Sequence, residues 1–269
     1  MDETVTEMNS INREIADNFG RSVSDYHEQA NVQKEVADRL IASLEPWRDI
    51  LPPGPILEVG CGTGFVTRGI VDLYPKREKI ITDLSDEMVS FCKDRFRSAE
   101  NITFHQLDAE EVETDEPEYG MTVCGFAAQW FKDPALTLGK LMEATRPGGL
   151  LLASLPGSES FPEWKERCEE LGIPFTGNAL PDTEEMVIKM STGPVQVDYY
   201  EDTVTQKFPS ALHFFRHLKT IGAATHKNGR ALNSAEMKML INHWDDHSEG
   251  DIRVSYHVVF LAVKRDHTS

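Results

Sequence analysis

The segment Ile56-Leu57-Glu58-Val59-Gly60-Cys61-Gly62-Thr63-Gly64 carries an apolar run, an acid and then a tight glycine series. Glycines at 60, 62 and 64 let the backbone turn sharply and approach a ligand where any Cβ would collide. A dinucleotide fingerprint needs its third glycine at 65, and Phe65 stands there. A phosphate loop needs Gly-Lys-Ser/Thr, which is absent. The turn therefore suits a nucleoside-like ligand with no phosphate to cradle. Acids recur after later apolar runs. Asp83 lies about 20 residues beyond the loop, where a carboxylate can take both hydroxyls of a ribose. Asp108-Ala109 offers a carboxylate beside a backbone amide. Taken singly, each acid could be a helix cap or a solvated turn. Their order along the chain points to a ligand.

Regular elements must present these groups. Residues 11–45 repeat apolar positions at helical spacing (Ile15, Phe19, Val23, then Val32, Val36, Leu40, Leu44), predicting one or two helices. Pro52-Pro53-Gly54-Pro55 stops them ahead of the first strand. Alternation then predicts helix 65–74, strand 79–83, helix 86–97, strand 102–106, an acidic turn over 108–118, strand 121–125, helix 134–145 and strand 150–154. Pro147-Gly148-Gly149 closes the last of these helices and opens the fifth strand. This is an α/β pattern with a mostly parallel sheet covered on both faces. A polar stretch, 156–194, precedes a strand in 195–208 and helices at 209–221 and 234–244. Val254–Val263 is strand-like and is expected to return antiparallel into the sheet. The expected organisation is a single domain. It has N-terminal lid helices over 1–50, a ligand-binding core over 51–155, a helical cap over 156–250 and a final strand over 251–269.

With 27 basic and 45 acidic residues the formal charge is −18, which argues against nucleic-acid or anionic-membrane partners. No apolar run reaches the length of a membrane span. The start is acidic and polar, without the features of a secretory signal. Cys61, Cys92, Cys124 and Cys168 form no C-x-x-C pair, and the nine histidines show no ligand spacing, so no metal site is expected. A reduced, cytoplasmic protein is the expectation.

The glycine loop, followed in order by Asp83-Leu84-Ser85, Asp108-Ala109 and Pro147-Gly148-Gly149, resembles the class I S-adenosylmethionine-dependent methyltransferases. That resemblance implies a Rossmann-like seven-stranded sheet with its last strand antiparallel. It also implies roles. Gly60, Gly62 and Gly64 make the cofactor turn, and Glu58 meets the cofactor's amino group directly or through water. Asp83 takes the ribose, Leu84 and Met88 line the adenine side, and Asp108 and Ala109 read the adenine edge. Ala127 faces the methionine half.

Outside the core, Phe19-Gly20-Arg21-Ser22-Val23-Ser24-Asp25-Tyr26-His27-Glu28-Gln29-Ala30 draws the comparison further. With Ala127-Ala128-Gln129-Trp130, Leu218-Lys219-Thr220-Ile221-Gly222-Ala223 and Tyr256-His257, it resembles the malonyl-carrier-protein O-methyltransferases of biotin synthesis. The resemblance covers nearly the whole chain, cap included, although Leu155-Pro156-Gly157-Ser158-Glu159-Ser160 departs from the usual stretch. It implies methyl transfer to the free carboxyl of a malonyl thioester. Such a carboxylate is ionised at neutral pH, so the enzyme needs positioning and no general base. Arg21 could pair its second oxygen, with Tyr26, Gln129, Trp130 or His257 beside it. Arg21 could equally anchor the N-terminal helix, and Tyr26 and His257 could be core.

Between Thr203 and Ala235 there is no acid, yet Lys207, Arg216, Lys219, Lys227 and Arg230 occur. In so acidic a chain this window could dock an acidic carrier protein. It could also be a solvated face balancing acidic neighbours. A monomer is expected. Two other functions fit the same core: methylation of a free small carboxylic acid, which needs no dock, and a cofactor-binding adaptor without turnover.

Overall fold

The computed structural model describes residues 10–267 except 22, 113–115, 222 and 224–229. Its centre is a seven-stranded sheet in the order β3-β2-β1-β4-β5-β7-β6. The strands are β1 (Ile56–Val59), β2 (Lys79–Asp83), β3 (Ile102–Gln106), β4 (Tyr119–Gly125), β5 (Thr145–Pro156), β6 (Val195–Phe208) and β7 (Ile252–Arg265). β7 runs antiparallel to both neighbours, and the first five strands are mutually parallel. All four residues of β1 are buried because helices cover both its faces. The order reverses between β1 and β4, so the loops after these strands open a crevice at their carboxyl ends.

Ten α-helices surround the sheet among the described residues. Three precede it: α1 (Ser10–Arg21), α2 (Val23–Gln29) and α3 (Asn31–Ala42). α4 (Phe65–Leu73), α5 (Asp86–Arg95) and α6 (Pro134–Glu143) are the crossovers of the core. α7 (Pro162–Leu171), α8 (Thr183–Met190), α9 (Ala211–Thr220) and α10 (Ser234–Asp246) follow β5 and precede β7. Their starts are written in the sequence. Ser85, Asp133, Asp182 and Ser210 each accept a backbone N–H of the first turn, and Asn233 forms a reciprocal box with Glu236.

Val32, Val36, Ala37 and Leu40 recur on one face of α3 and are buried against the sheet. Leu40 is fully enclosed. Truncating it to Ala would cost about 2–5 kcal/mol by transfer and cavity terms. The opposite face of the sheet packs Leu138 and Leu141 of α6 and Met186 of α8.

Three details differ from the sequence expectation. The N-terminal periodicity is broken into three helices. The stretch 156–194 holds two helices, whose few apolar contacts, such as Trp164 and Cys168, are spaced four apart. Pro147-Gly148-Gly149 lies inside β5, past the end of α6 at Glu143: Tyr119 pairs Thr145 while Met121 already pairs Leu150, so the segment is a bulge.

Candidate active site

A cavity of about 390 Å³ lies over the carboxyl ends of β1, β2 and β4 and runs on beneath the helices that follow β5. Its floor is the glycine loop. Gly60 and Gly62 have φ of +73° and +51°, a region open chiefly to glycine. A Cβ on Gly60 would stand 2.4 Å from the Ala127 methyl. A Cβ on Gly62 would project with nothing nearer than the Tyr26 ring at 3.8 Å, so the space it faces is the cavity. Gly64 is different. It lies off the cavity wall, and a Cβ there would fall 2.5 Å from the Phe96 ring and 2.9 Å from Cys92 Sγ. Its φ of +83° favours glycine as in the other two, and packing excludes a Cβ besides.

Asp83 ends β2 beside this loop. Its Oδ2 accepts the Gly62 N–H at 2.8 Å and its Oδ1 accepts the Ser85 N–H at 2.9 Å. Burial raises its pKa, and these backbone donors oppose the rise. Leu84 and Met88 continue the wall, as do Asp108 and Ala109 after β3. Glu58 does not reach the cavity. Its Oε2 accepts from Thr67 Oγ1 at 2.8 Å, and its Oε1 is buried without a hydrogen-bond partner. Burial pushes this carboxyl up to about 8, against the opposing Thr67 bond. Adjacent strand residues point to opposite faces, so Val59 faces the cavity and Glu58 packs behind it.

α1 and α2 close the other side. The Tyr26 ring stands near Phe19 and Phe65, with ring centres 6.0 and 6.4 Å away. Phe19 meets Trp130 edge-on at 5.2 Å. His27 stacks on Phe65, and its Nδ1 lies 3.0 Å from Thr63 Oγ1. Asn12 donates to Asp108 at 2.6 Å. Burial, with the nearby Asp83 charge, raises the Tyr26 phenol, which therefore stays protonated at neutral pH. Gln129 lines the cavity and donates through Nε2 to the Phe126 carbonyl at 2.8 Å.

Beyond Trp130 the cavity enters an aromatic chamber formed by Phe161, Trp164, Phe215, Leu218, Met237 and Tyr256. Phe161 and Tyr256 pack edge-on at 5.0 Å, and Trp164 and Phe215 at 5.1 Å. Phe126 and Phe161 hold φ of +56° and +63°, an uncommon and strained conformation for an aromatic residue. Sequence reasoning missed Asn12, Phe126, Phe161 and Tyr256. The Tyr256-His257 pair was visible, but the neighbour chosen was His257.

His257 points away from the cavity. Its Nε2 lies 3.0 Å from Glu201 Oε1, and its backbone exchanges hydrogen bonds with the Ser160 hydroxyl. Period-two alternation on β7 gives Tyr256 to the chamber and His257 to the other face. Of the two roles open to Arg21, pairing the acceptor is not supported: it is exposed at the end of α1 and does not line the cavity. Of the basic window, Lys207, Arg216 and Lys219 are exposed. Arg230 is tied to Glu236 by two bonds of 2.8 and 2.9 Å, which neutralises its charge. Lys227 lies outside the described residues.

Comparison with known proteins agrees with this architecture. A methyltransferase domain family matches residues 56–149. The malonyl-[acyl-carrier protein] O-methyltransferase of Magnetococcus marinus is 30% identical over 252 residues, covering 93% of this chain and 91% of that one. The enzyme of the same name from Anoxybacillus flavithermus is 30% identical over 255 residues, covering 91% and 94%. Among solved structures, the YcgJ protein from Bacillus subtilis superposes with a TM-score of 0.61 at 14% identity, covering 85% of this chain and 99% of that one, a likeness of fold. The kinship at 30% identity extends over more than nine-tenths of the chain, and the chain belongs to the malonyl-[acyl-carrier protein] O-methyltransferase family.

Proposed function

We propose that this protein transfers a methyl group from S-adenosylmethionine to the free carboxylate of a malonyl thioester on an acyl carrier protein, forming the methyl ester that begins pimeloyl assembly for biotin. The observation that carries this reading is the single cavity joining the glycine loop to an aromatic chamber in the part of the chain beyond β5. The proposed nucleoside and acceptor sites share one continuous space.

The residues present fit the cofactor. The open face of Gly62 leaves room for close backbone approach. Asp83, with one N–H on each oxygen, retains acceptor capacity for two ribose hydroxyls. Asp108 and the Ala109 amide suit the adenine edge, and Leu84 and Met88 its faces. When bound, S-adenosylmethionine supplies an electrophilic methyl on a sulfonium.

The chain's own work is positioning. The acceptor carboxylate is already ionised at neutral pH, so no residue must remove a proton. Tyr26, held protonated, is a donor for an acceptor oxygen beside the loop. Phe19, Trp130 and the chamber aromatics exclude water, which strengthens polar contacts inside and keeps the carboxylate reactive. Lys207 and Arg216, both exposed, are the cations best placed to attract an acidic carrier. Incubating the protein with malonyl-carrier protein and cofactor should add one methyl group, measured by intact-protein mass spectrometry. Methylation of free dicarboxylic acids alone would overturn the carrier assignment.

A further inference from the structure

Lys219 belongs by sequence to a surface set, but the structure puts it on the cavity wall. Among the described residues it is the only lysine or arginine there, opposite three acids: Asp83, Asp108 and Glu110. All three acids lie on the cofactor side. All three already serve the protein: Asp83 holds the loop amide, Asp108 holds Asn12, and Glu110 accepts from Asn12 and from the Lys132 backbone. Lys219 comes from the last turn of α9, one residue past Leu218 of the chamber wall, and it is exposed. An anion entering this cavity leaves water for apolar walls, and the cofactor's sulfonium faces only the oxygen that attacks it. The other oxygen needs a cation from the chain, and Lys219 is the lysine or arginine among the described wall residues. Arg21 cannot supply that cation from the outer end of α1.

Building on the methyl-transfer reading, we propose that Lys219 is the acceptor-recognition residue, its ammonium pairing the malonyl carboxylate at the oxygen that is not methylated. A long, flexible stem carrying a compact charge suits a group that must follow its anion inward from the rim. In the transfer, one carboxylate oxygen bonds to the methyl carbon while the carbon–sulfur bond breaks, its electron pair staying on sulfur. No proton moves. The acceptor's negative charge disappears in the ester, so the same contact that draws in the acid lets the product go. Selection against acceptors lacking a free carboxylate follows without any further residue.

The test compares Lys219→Met and Lys219→Arg with wild type, using malonyl-pantetheine, which has neither phosphate nor carrier surface, and malonyl-carrier protein. Lys219→Met should lower kcat/KM on both by a similar factor, about tenfold to a hundredfold for a lost charge-assisted bond. Lys219→Arg should retain most activity, and cofactor affinity should be unchanged in both. In binding assays Lys219→Met should weaken malonyl-carrier protein but not its methyl ester, which has the same phosphate and carrier surface. That comparison decides the matter if wild type turns over the carrier substrate alone. Equal weakening of acid and ester, or a loss confined to the carrier substrate when both are turned over, would make Lys219 a docking or phosphate contact and overturn the proposal. Wild type that methylates neither malonyl thioester would instead remove the reading on which it rests.

Discussion

The Asn12 side-chain amide donates a 2.6 Å hydrogen bond to Asp108 Oδ2, joining the first helix to the end of the third strand. Asn12 is buried, and the accepting carboxylate also receives the Glu110 N–H at 3.0 Å. The proposed adenine contact and the covering helix therefore share one side chain. In the proposed complex, the packing of α1 and the cofactor's adenine end are tied through this one carboxylate.

Asn12→Ala should loosen α1 and weaken cofactor binding together, by about 1–2 kcal/mol for loss of a bond to a charged acceptor. Hydrogen exchange along 10–21 and calorimetric titration of the cofactor report the two effects. Faster exchange with unchanged affinity would separate the lid from the adenine site.

Asp83 both shapes the loop and is the proposed ribose acceptor. Asp83→Ala should lower cofactor affinity by about 2–4 kcal/mol, the sum expected for two charge-assisted bonds. The loss of the Gly62 and Ser85 N–H bonds should appear separately, as a modest fall in thermal stability without cofactor. Calorimetry showing wild-type affinity in the variant would refute the ribose assignment.

Glu58 predicts a pH dependence of folding. Its carboxyl is held at about 8 in the folded protein against an ordinary 4.5. The folded state therefore keeps a proton that the unfolded state loses. This contribution is fully present below pH 4.5 and declines as pH rises through 8, with a limiting slope of about 1.4 kcal/mol per pH unit. Glu58→Gln, neutral throughout, should unfold less readily than wild type at pH 8 relative to pH 5. Parallel stability profiles for the two proteins across that window would show that the group ionises normally.

The sheet and its ligand loop were legible because backbone conformation leaves few choices of residue. Gly60 and Gly62 could hardly be anything else, Asp83 ends a strand marked by Ile80-Ile81, and Asp108 follows the alternating β-rich stretch Ile102-Thr103-Phe104. The facing of β7 was legible only in part. Val258–Val263 is apolar on both sides and hid the alternation Val254-Ser255-Tyr256-His257, which puts Tyr256 with the apolar face and His257 with Ser255 on the other. Asn12 carries no periodicity or motif, and its partner lies 96 residues away. Counting charges between Thr203 and Ala235 found the basic window but stopped one residue short of Glu236, which takes Arg230 out of service. Lys219 illustrates the same limit. Helical spacing put it three residues from Arg216, whereas only the packed structure tells the cavity wall from the open surface.

The remaining surface cations carry the last prediction. Lys207 is the next-to-last residue of β6, and its register partner on β7 is Arg253, also exposed, so basic character continues beyond the sequence window. Arg216 projects from the exposed side of α9. In a protein of net charge −18, an acidic carrier approaching elsewhere would be repelled. Exposed charges mainly set the rate of encounter, so Lys207→Glu with Arg216→Glu should raise KM for malonyl-carrier protein and leave kcat and cofactor affinity nearly unchanged. Wild-type activity on the carrier should fall with added salt, as the screening length shortens from about 10 Å at 0.1 M to about 3 Å at 1 M. Malonyl-pantetheine, which is no docking partner, should show neither effect. An equal loss on both substrates would mean that Lys207 and Arg216 support the fold of the region beyond β5, and the carrier must then approach by another face.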